Sequence, residues 1–130
     1  MEDMLLEIDK QVQSIGELLQ EFKGQDVAIL DLRPFQTWTD FFIIATASSK
    51  THMDGLERHI KDYCRERKID MSGSSRKKAD DEWRLLDLGC SGLGSIIIHL
   101  MNKRSRDFYE LERLWSKVQG IQSKETASPE

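Results

Sequence analysis

Two short apolar runs lie so close together in the chain that they limit what it can fold into. Residues 26–32 and 40–46 are rich in aliphatic, aromatic and β-branched side chains, and Arg33-Pro34 stops the first run. Such runs, bounded by turn signals, are typical of strands that are buried on at least one face. Because residues 34–39 are too few for a crossover helix, we expect the two strands to pair antiparallel.

An amphipathic helix is predicted before these strands, over about residues 3–22. Apolar residues recur there at spacings of three and four, and Lys23-Gly24 supplies a basic end and a residue that tolerates a left-handed cap. The stripe consists of Leu5, Ile8, Val12, Ile15, Leu19 and Phe22. Two interpretations stay open: the stripe faces the core, or its heptad-like spacing forms a seam with a partner or a second copy of the chain.

Two further helices are predicted. Ser48-Ser49 can cap a helix that begins near Lys50, and a last helix begins near Ser105. The apolar side of the middle helix consists of Met53, Leu56, Ile60, Tyr63 and Cys64, and that of the last helix of Phe108, Leu111, Trp115 and Val118. Both patterns have the helical period that places such residues on one side.

Three more strands complete the predicted sheet. Residues 69–75 suggest a weak edge strand, and residues 83–88 and 95–101 are clearer, with a Gly-rich turn between them. The order α-β-β-α-β-β-β-α predicts an α/β (α+β) fold with a mixed sheet of about five strands and packed helices. We expect one domain over residues 1–120, of which about 25–118 form the sheet domain. The polar tail 121–130 is expected to be disordered.

The composition limits the kind of partner and the compartment. A chain of 130 residues with a net charge of −4 fits one domain and would need a local basic patch to bind nucleic acid. Its acidic start and the absence of a long apolar run predict a cytoplasmic protein with no membrane segment. Cys64 and Cys90 are far apart and form no Cys-x-x-Cys pair, which indicates reduced thiols.

Catalytic residues are not indicated by any motif. Nucleotidyl transfer needs two carboxylates two residues apart on one strand face, but Asp87 stands between leucines and Asp31 is followed at the second position by Arg33. His52 and His59 are seven residues apart, which is not a zinc-ligand spacing. We therefore expect no enzyme, no metal and no cofactor. The alternative is a nucleotide-binding or nucleotidyl-transferring enzyme.

Basic residues cluster after the middle helix. The cluster consists of Arg65, Arg67, Lys68, Arg76, Lys77 and Lys78. Cations at a helix C-terminus interact favourably with the helix dipole, which explains part of the cluster without any partner. The alternative is a patch that contacts RNA phosphates at the edge of a larger interface.

A mixed face is predicted on the last two strands. Alternation places Trp83, Leu85 and Asp87 on one side of the first strand. The corresponding set on the next strand includes Ile97, His99 and Met101. Such a mixture is poor core and good interface, because aromatic residues and Met anchor a partner while polar groups orient it. The alternative is that Trp83 packs beneath a helix.

Short motifs in a fixed order give the chain a family resemblance. They are Lys23-Gly24-Gln25-Asp26, Thr39-Asp40, Glu82-Trp83, Leu86-Asp87-Leu88-Gly89, Ile98-His99-Leu100-Met101 and the run RDFYELERLW at residues 106–115. Together they resemble the iojap-related ribosomal silencing factor family from about Gly24 to Trp115. Each motif is weak alone, and their order and spacing make the set specific.

The resemblance implies a nucleotidyltransferase-like fold without catalytic carboxylates. It also implies a translational repressor that binds ribosomal protein fourteen of the large ribosomal subunit and blocks subunit joining when nutrients are scarce. The partner-binding residues that it carries over are Trp83, Leu85, Asp87 and His99, to which alternation adds Ile97 and Met101. Peripheral contacts with rRNA phosphates and a homodimer are further expectations.

One departure from the family pattern affects the hairpin beside this face. Cys90–Gly94 resembles a five-residue insertion, and Ser95 stands where the family pattern has an Asp. Glycines suit turn geometry and offer little to bury, so we expect the insertion to be an exposed hairpin extension rather than core.

Overall fold

The computed structural model describes residues 2–35, 39–77, 82–90, 94–111 and 124–125. The elements in chain order are α1 (Glu2–Glu21), β1 (Gln25–Asp31), a 3-10 turn (Arg33–Phe35), β2 (Phe41–Thr46), α2 (Lys50–Arg67), β3 (Asp70–Lys77), β4 (Trp83–Cys90), β5 (Gly94–Met101), α3 (Lys103–Tyr109) and β6 (Lys124–Glu125). The predicted order of helices and strands is confirmed.

The strands form one mixed sheet in the order β3-β4-β5-β2-β1-β6. β1 and β2 pair antiparallel as predicted, β3, β4 and β5 form an antiparallel meander, and β2 pairs parallel with β5. The α/β (α+β) fold with a mixed sheet is therefore confirmed. β6 is an addition, since two residues of the tail expected to be disordered pair with β1. The other tail residues lie outside the described residues.

One face of the sheet carries the larger core, formed with α1 and α2. The α1 stripe is buried there at Ile8, Val12, Ile15 and Leu19, each at most 3% exposed. This burial confirms the interpretation that the stripe faces the core. The same residues are therefore unavailable as a dimer seam.

The end of α1 differs from the prediction in which residue takes the left-handed conformation. Lys23 has a φ of 72°, while Gly24 does not have a positive φ. Gly24 is needed for a different reason: a Cβ there would lie 2.8 Å from the carbonyl oxygen of Leu19, to which the Gly24 N–H donates a hydrogen bond. The close approach of two backbone segments, and not a positive φ, accounts for this glycine.

α2 begins as the sequence predicts and carries a buried charge that the sequence does not reveal. Ser49 caps it by accepting a hydrogen bond from the N–H of His52. Glu57 is 4% exposed and accepts a hydrogen bond from the guanidinium of Arg84 on β4, over 2.9 Å. Arg84 also pairs with Asp54 and holds the pKa of that carboxyl below its ordinary value by hydrogen bonding to it. This charged link joins α2 to β4 within the interior.

The last helix differs from the prediction. α3 begins at Lys103, capped by Asn102, and ends at Tyr109, where Glu110 takes a left-handed conformation. Phe108 is 75% exposed and is not part of an inner stripe. The helical period predicted from Phe108 to Val118 is interrupted at Glu110, because the left-handed conformation there ends α3. Trp115 and Val118 lie outside the described residues.

At Gly94, the last residue of the insertion, the hairpin between β4 and β5 contacts other parts of the protein. Cys90 and Gly94 are paired in the ladder, and residues 91–93 lie outside the described residues. A Cβ at Gly94 would lie 2.5 Å from the carboxylate of Asp40 and 2.6 Å from Ile8. The expectation of an exposed extension is therefore wrong at Gly94.

We predict that Gly94→Ala lowers the free energy of unfolding by about 2 kcal/mol. Gly94 has a φ of +138°, and an added methyl group would displace the Asp40 carboxylate that accepts a hydrogen bond from the Ser95 N–H. The matched control is Gly89→Ala, because a Cβ at Gly89 meets no atom within 4 Å. Urea denaturation measures both. Equal stabilities for the two variants would contradict the packing of the hairpin.

Candidate functional site

The six predicted partner-binding residues lie together on the face of the sheet opposite α1 and α2. The register of β4 and β5 places them in three directly opposed pairs, Trp83 with Met101, Leu85 with His99, and Asp87 with Ile97. The alternation predicted for β4 is confirmed, because Leu86 and Leu88 belong to the larger core and Trp83 to a second cluster. Cross-strand pairing thus makes one continuous patch of the six side chains.

This face carries a second apolar cluster, which is buried. It consists of Leu30, Leu32, Phe42, Ile44, Trp83, Ile97 and Met101, with Phe35, Leu85, Tyr109 and Leu111 packed against it. Trp83 is 9% exposed and His99 is 4% exposed. The expectation that the Trp83 side chain is presented to a partner rather than to a core is therefore not met in the free chain.

Trp83 and His99 are joined by a hydrogen bond in the interior of this face. The indole N–H of Trp83 donates a hydrogen bond to Nδ1 of His99 over 3.0 Å. Because indole can only donate, Nδ1 carries a lone pair and the imidazole is held in one tautomer at this bond. The edge of Phe42 packs on the His99 ring with centroids 4.6 Å apart. The mixed face was predicted from alternation alone, which does not reveal this hydrogen bond between its two side chains.

α3 closes this side of the sheet through an aromatic contact and a buried cation. Tyr109 packs on Trp83 with ring centroids 4.8 Å apart. Arg106, 9% exposed, donates a hydrogen bond to the hydroxyl of Thr46 at the end of β2 over 3.0 Å and reaches the carbonyl oxygen of Gln25 over 3.5 Å. The guanidinium therefore fixes α3 against two strands and so positions Tyr109 over the indole.

Only two of the six predicted residues are accessible to a partner in the free chain. Leu85 and Asp87 are half-buried, and Ile97 and Met101 are at most 1% exposed. Phe108 projects into solvent beside this patch, with its ring 4.8 Å from that of Tyr109. The periodicity predicted that Phe108 faces the core. Its exposure could have been predicted only if the position where α3 ends had been known.

Paired metal-binding carboxylates are not formed by the two candidate aspartates. Asp87 lies on the face of the second cluster, whereas Asp31 lies on the α1 side, where it accepts hydrogen bonds from Arg33 at 2.8–2.9 Å. The two strands are also separated by β5 and β2, which is about 14 Å at the usual strand spacing. Among the described residues, no three His, Cys, Asp or Glu side chains cluster so as to hold a metal ion.

The two candidate histidines of α2 have structural contacts at the end of α1. Nε2 of His52 lies 2.9 Å from the carbonyl oxygen of Phe22. Nδ1 of His52 accepts a hydrogen bond from the Ser48 N–H. His59 stacks on the Phe22 ring with centroids 3.5 Å apart. These contacts join α2 to the chain that follows α1.

The basic cluster is partly engaged by α2 itself. Arg65 pairs with Asp62, and Arg67 lies over the ring of Tyr63 and pairs with Glu66. Lys68 takes the left-handed conformation that ends the helix. The side chains of the remaining cluster residues are outside the described part of the chain. In the described helices, no segment is both long and apolar enough to cross a membrane.

We predict that Trp83→Ala lowers the free energy of unfolding by about 3–5 kcal/mol, because it empties a buried site and removes the hydrogen bond to His99. Phe108→Ala is the matched control, since it removes an exposed aromatic ring from the same region, and should change stability by less than about 0.5 kcal/mol. Thermal and urea unfolding measure both variants. A stable Trp83→Ala protein would show that the indole is not a core element.

Comparison with known proteins assigns the family. The model described as "Ribosomal silencing factor during starvation" matches residues 6–130. A ribosomal silencing factor from Treponema pallidum is 31% identical over 105 residues, covering 78% of this chain and 86% of that protein. The mouse protein named for mitochondrial assembly of the ribosomal large subunit is 27% identical over 107 residues, which are 81% of this chain and 45% of that protein.

The fold agrees with a solved structure of a protein from Chromobacterium violaceum. That crystal structure superposes with a TM-score of 0.70 at 25% sequence identity and covers 92% of both chains. The family match extends over nearly the whole sequence and includes every described strand and helix of the site. The chain belongs to the ribosomal silencing factor family.

Proposed function

We propose that this protein represses translation by binding the large ribosomal subunit through ribosomal protein fourteen. The bound protein would exclude the small subunit sterically, with no turnover of substrate. Family membership supports a ribosomal silencing role, and the name of the mouse relative refers to the large subunit. Cytoplasmic action and peripheral contacts of Arg76, Lys77 and Lys78 with rRNA phosphates belong to the same proposal.

The observation that carries the proposal is the rigid patch on β4 and β5. Leu85 and Asp87 are half-buried and lie beside the buried His99 and Ile97, which oppose them on β5. Buried neighbours of this kind restrict the rotamers of the two accessible groups, so that little side-chain entropy is lost on binding. An apolar group beside a carboxylate suits an interface with an apolar centre and a polar rim.

A standard interface needs more area than these two side chains offer. Interfaces of this kind bury roughly 1,600 Å² in total, about 800 Å² on each partner. The neighbouring exposed ring of Phe108 and the half-buried Tyr109 extend the patch along α3. We therefore include α3 in the proposed docking surface. A homodimer stays a prediction and would have to use a surface other than the buried α1 stripe.

We predict that Leu85→Ala weakens binding to large ribosomal subunits about tenfold, because it removes the apolar centre of the patch. The matched control is Ile69→Ala, which truncates an aliphatic residue of similar partial burial that packs against the larger core, across the sheet. Co-sedimentation with purified large subunits measures binding, and circular dichroism verifies folding. Wild-type protein should also shift intact ribosomes towards free subunits in sucrose gradients. Undiminished binding by folded Leu85→Ala would remove β4 from the docking surface.

Nucleotidyl transfer is the alternative function, and we predict that it is absent. Asp31 and Asp87 lie on opposite faces of the sheet and cannot share a pair of metal ions. Incubation with each nucleoside triphosphate and Mg²⁺ or Mn²⁺ should release no pyrophosphate. Release that disappears in Asp87→Ala would establish the enzyme instead.

A further inference from the structure

A second surface lies on the other side of the molecule, between α1 and α2. It is an open groove of about 460 Å³, a volume in the range of roughly 300–1,000 Å³ that is usual for ligand sites. It is lined by Ser14, Glu17, Leu18, Glu21 and Phe22 from α1, and by His59, Asp62, Tyr63, Glu66 and Arg67 from α2. The proposed ribosome-docking patch is on the opposite face of the sheet, so the groove is available independently of it.

The groove combines an apolar floor with carboxylates on both walls. Phe22 and His59 stack at 3.5 Å with an angle of 11° between their planes, and Leu18 and Tyr63 extend this floor. Tyr63 is 7% exposed and its hydroxyl donates a hydrogen bond to Gln11 on α1, so the floor is held from both helices. Ring faces of this kind attract cations as well as apolar groups.

The acidic residues on the two walls are spaced so that they destabilise the helices that carry them. Glu17 and Glu21 are four residues apart on α1, and Asp62 and Glu66 are four residues apart on α2. Like charges at this spacing destabilise a helix. Arg65 and Arg67 offset the α2 pair, whereas neither Glu17 nor Glu21 has an ion-pair partner in the described part of the chain. The groove therefore has uncompensated negative charge along its α1 wall.

One side chain of the groove lining already makes contacts of the kind that a bound cation would make. The guanidinium of Arg67 lies over the Tyr63 ring, 4.0 Å from its centroid, and 3.7 Å from the Glu66 carboxylate. Arg67 thus makes with α2 the two contacts that an incoming arginine would make, a ring face and a carboxylate. A planar guanidinium fits this geometry better than a compact ammonium.

We propose that the α1–α2 groove binds an extended, arginine-containing basic segment of a protein partner. Charge complementarity supports this occupant, since arginines would meet Glu17 and Glu21 while apolar side chains cover Leu18 and Phe22. A nucleic-acid backbone would meet more carboxylates than cations in this groove and is disfavoured by the same charges. The proposal goes beyond the ribosome-silencing function and concerns a different surface.

Fluorescence anisotropy of labelled nine-residue peptides tests the proposal with the intact chain alone. A peptide of alternating arginine and leucine should bind saturably, and peptides of alternating arginine and glycine, or glutamate and leucine, should bind more weakly. The double variant Glu17→Gln/Glu21→Gln should weaken binding about fivefold in roughly 0.1 M salt, as expected for two exposed ion pairs. Arg67→Ala should strengthen binding, because it uncovers the Tyr63 ring.

A matched double variant distinguishes binding in the groove from an effect of the protein's net charge. Asp26→Asn/Glu82→Gln removes the same two charges from positions outside both the groove and α3 and should leave binding unchanged. An equal loss in both double variants would reduce the effect to net charge and overturn the proposal. So would equal binding of the arginine–glycine peptide, or preferential binding of a labelled single-stranded RNA. Glu17→Gln/Glu21→Gln should still bind large subunits. Failure of the groove proposal can therefore be distinguished from failure of the ribosome-docking proposal.

Discussion

The parallel pairing of β2 with β5 is the interaction on which the rest of the sheet depends. β1–β2 and β3–β4–β5 are built from neighbouring segments, and the parallel ladder alone joins these two local units in the middle of the sheet. Thr39 and Asp40 reinforce it at its start, where the Ser95 N–H donates to the Asp40 carboxylate and the Ser95 carbonyl accepts from the Thr39 hydroxyl and the Asp40 N–H. A large loop must close before this ladder forms, so the contact carries the main entropic cost of the topology.

The parallel ladder also creates two unlike faces. α1 and α2 cover one face and make the larger core there, while α3 covers part of the other face. α3 depends on the sheet at two points: Arg106 in its middle bonds to β2, and Tyr109 at its end packs on β4. Trp83 and His99 meet within the local β4–β5 pair, and the central pairing adds β2 beside them, which brings Phe42 onto the His99 ring and Thr46 to the Arg106 guanidinium of α3.

Charge has different uses beneath the helices α1 and α2 and on their outer side. In the interior, Arg84 and Glu57 pair between β4 and α2, and such a pair contributes orientation more than stability because both ions lose their hydration. On the outside of α1 and α2, carboxylates face a groove without full compensation. The first arrangement fixes how the helices sit on the sheet. The second leaves charge available to a partner.

Local chemistry in the sequence determined the elements, several of their ends and the alternation of β4. Ser49 capping α2, the buried stripe of α1 and the common face of Trp83 with Leu85 all follow from spacing and residue type. Only the tertiary structure decided that Trp83 is buried, that Gly94 is packed and that Phe108 is exposed. These outcomes depend on which distant segments arrive beside each residue. The periodicity of a strand predicts which side chains share a face. Whether α3 covers that face depends on contacts between residues far apart in the chain.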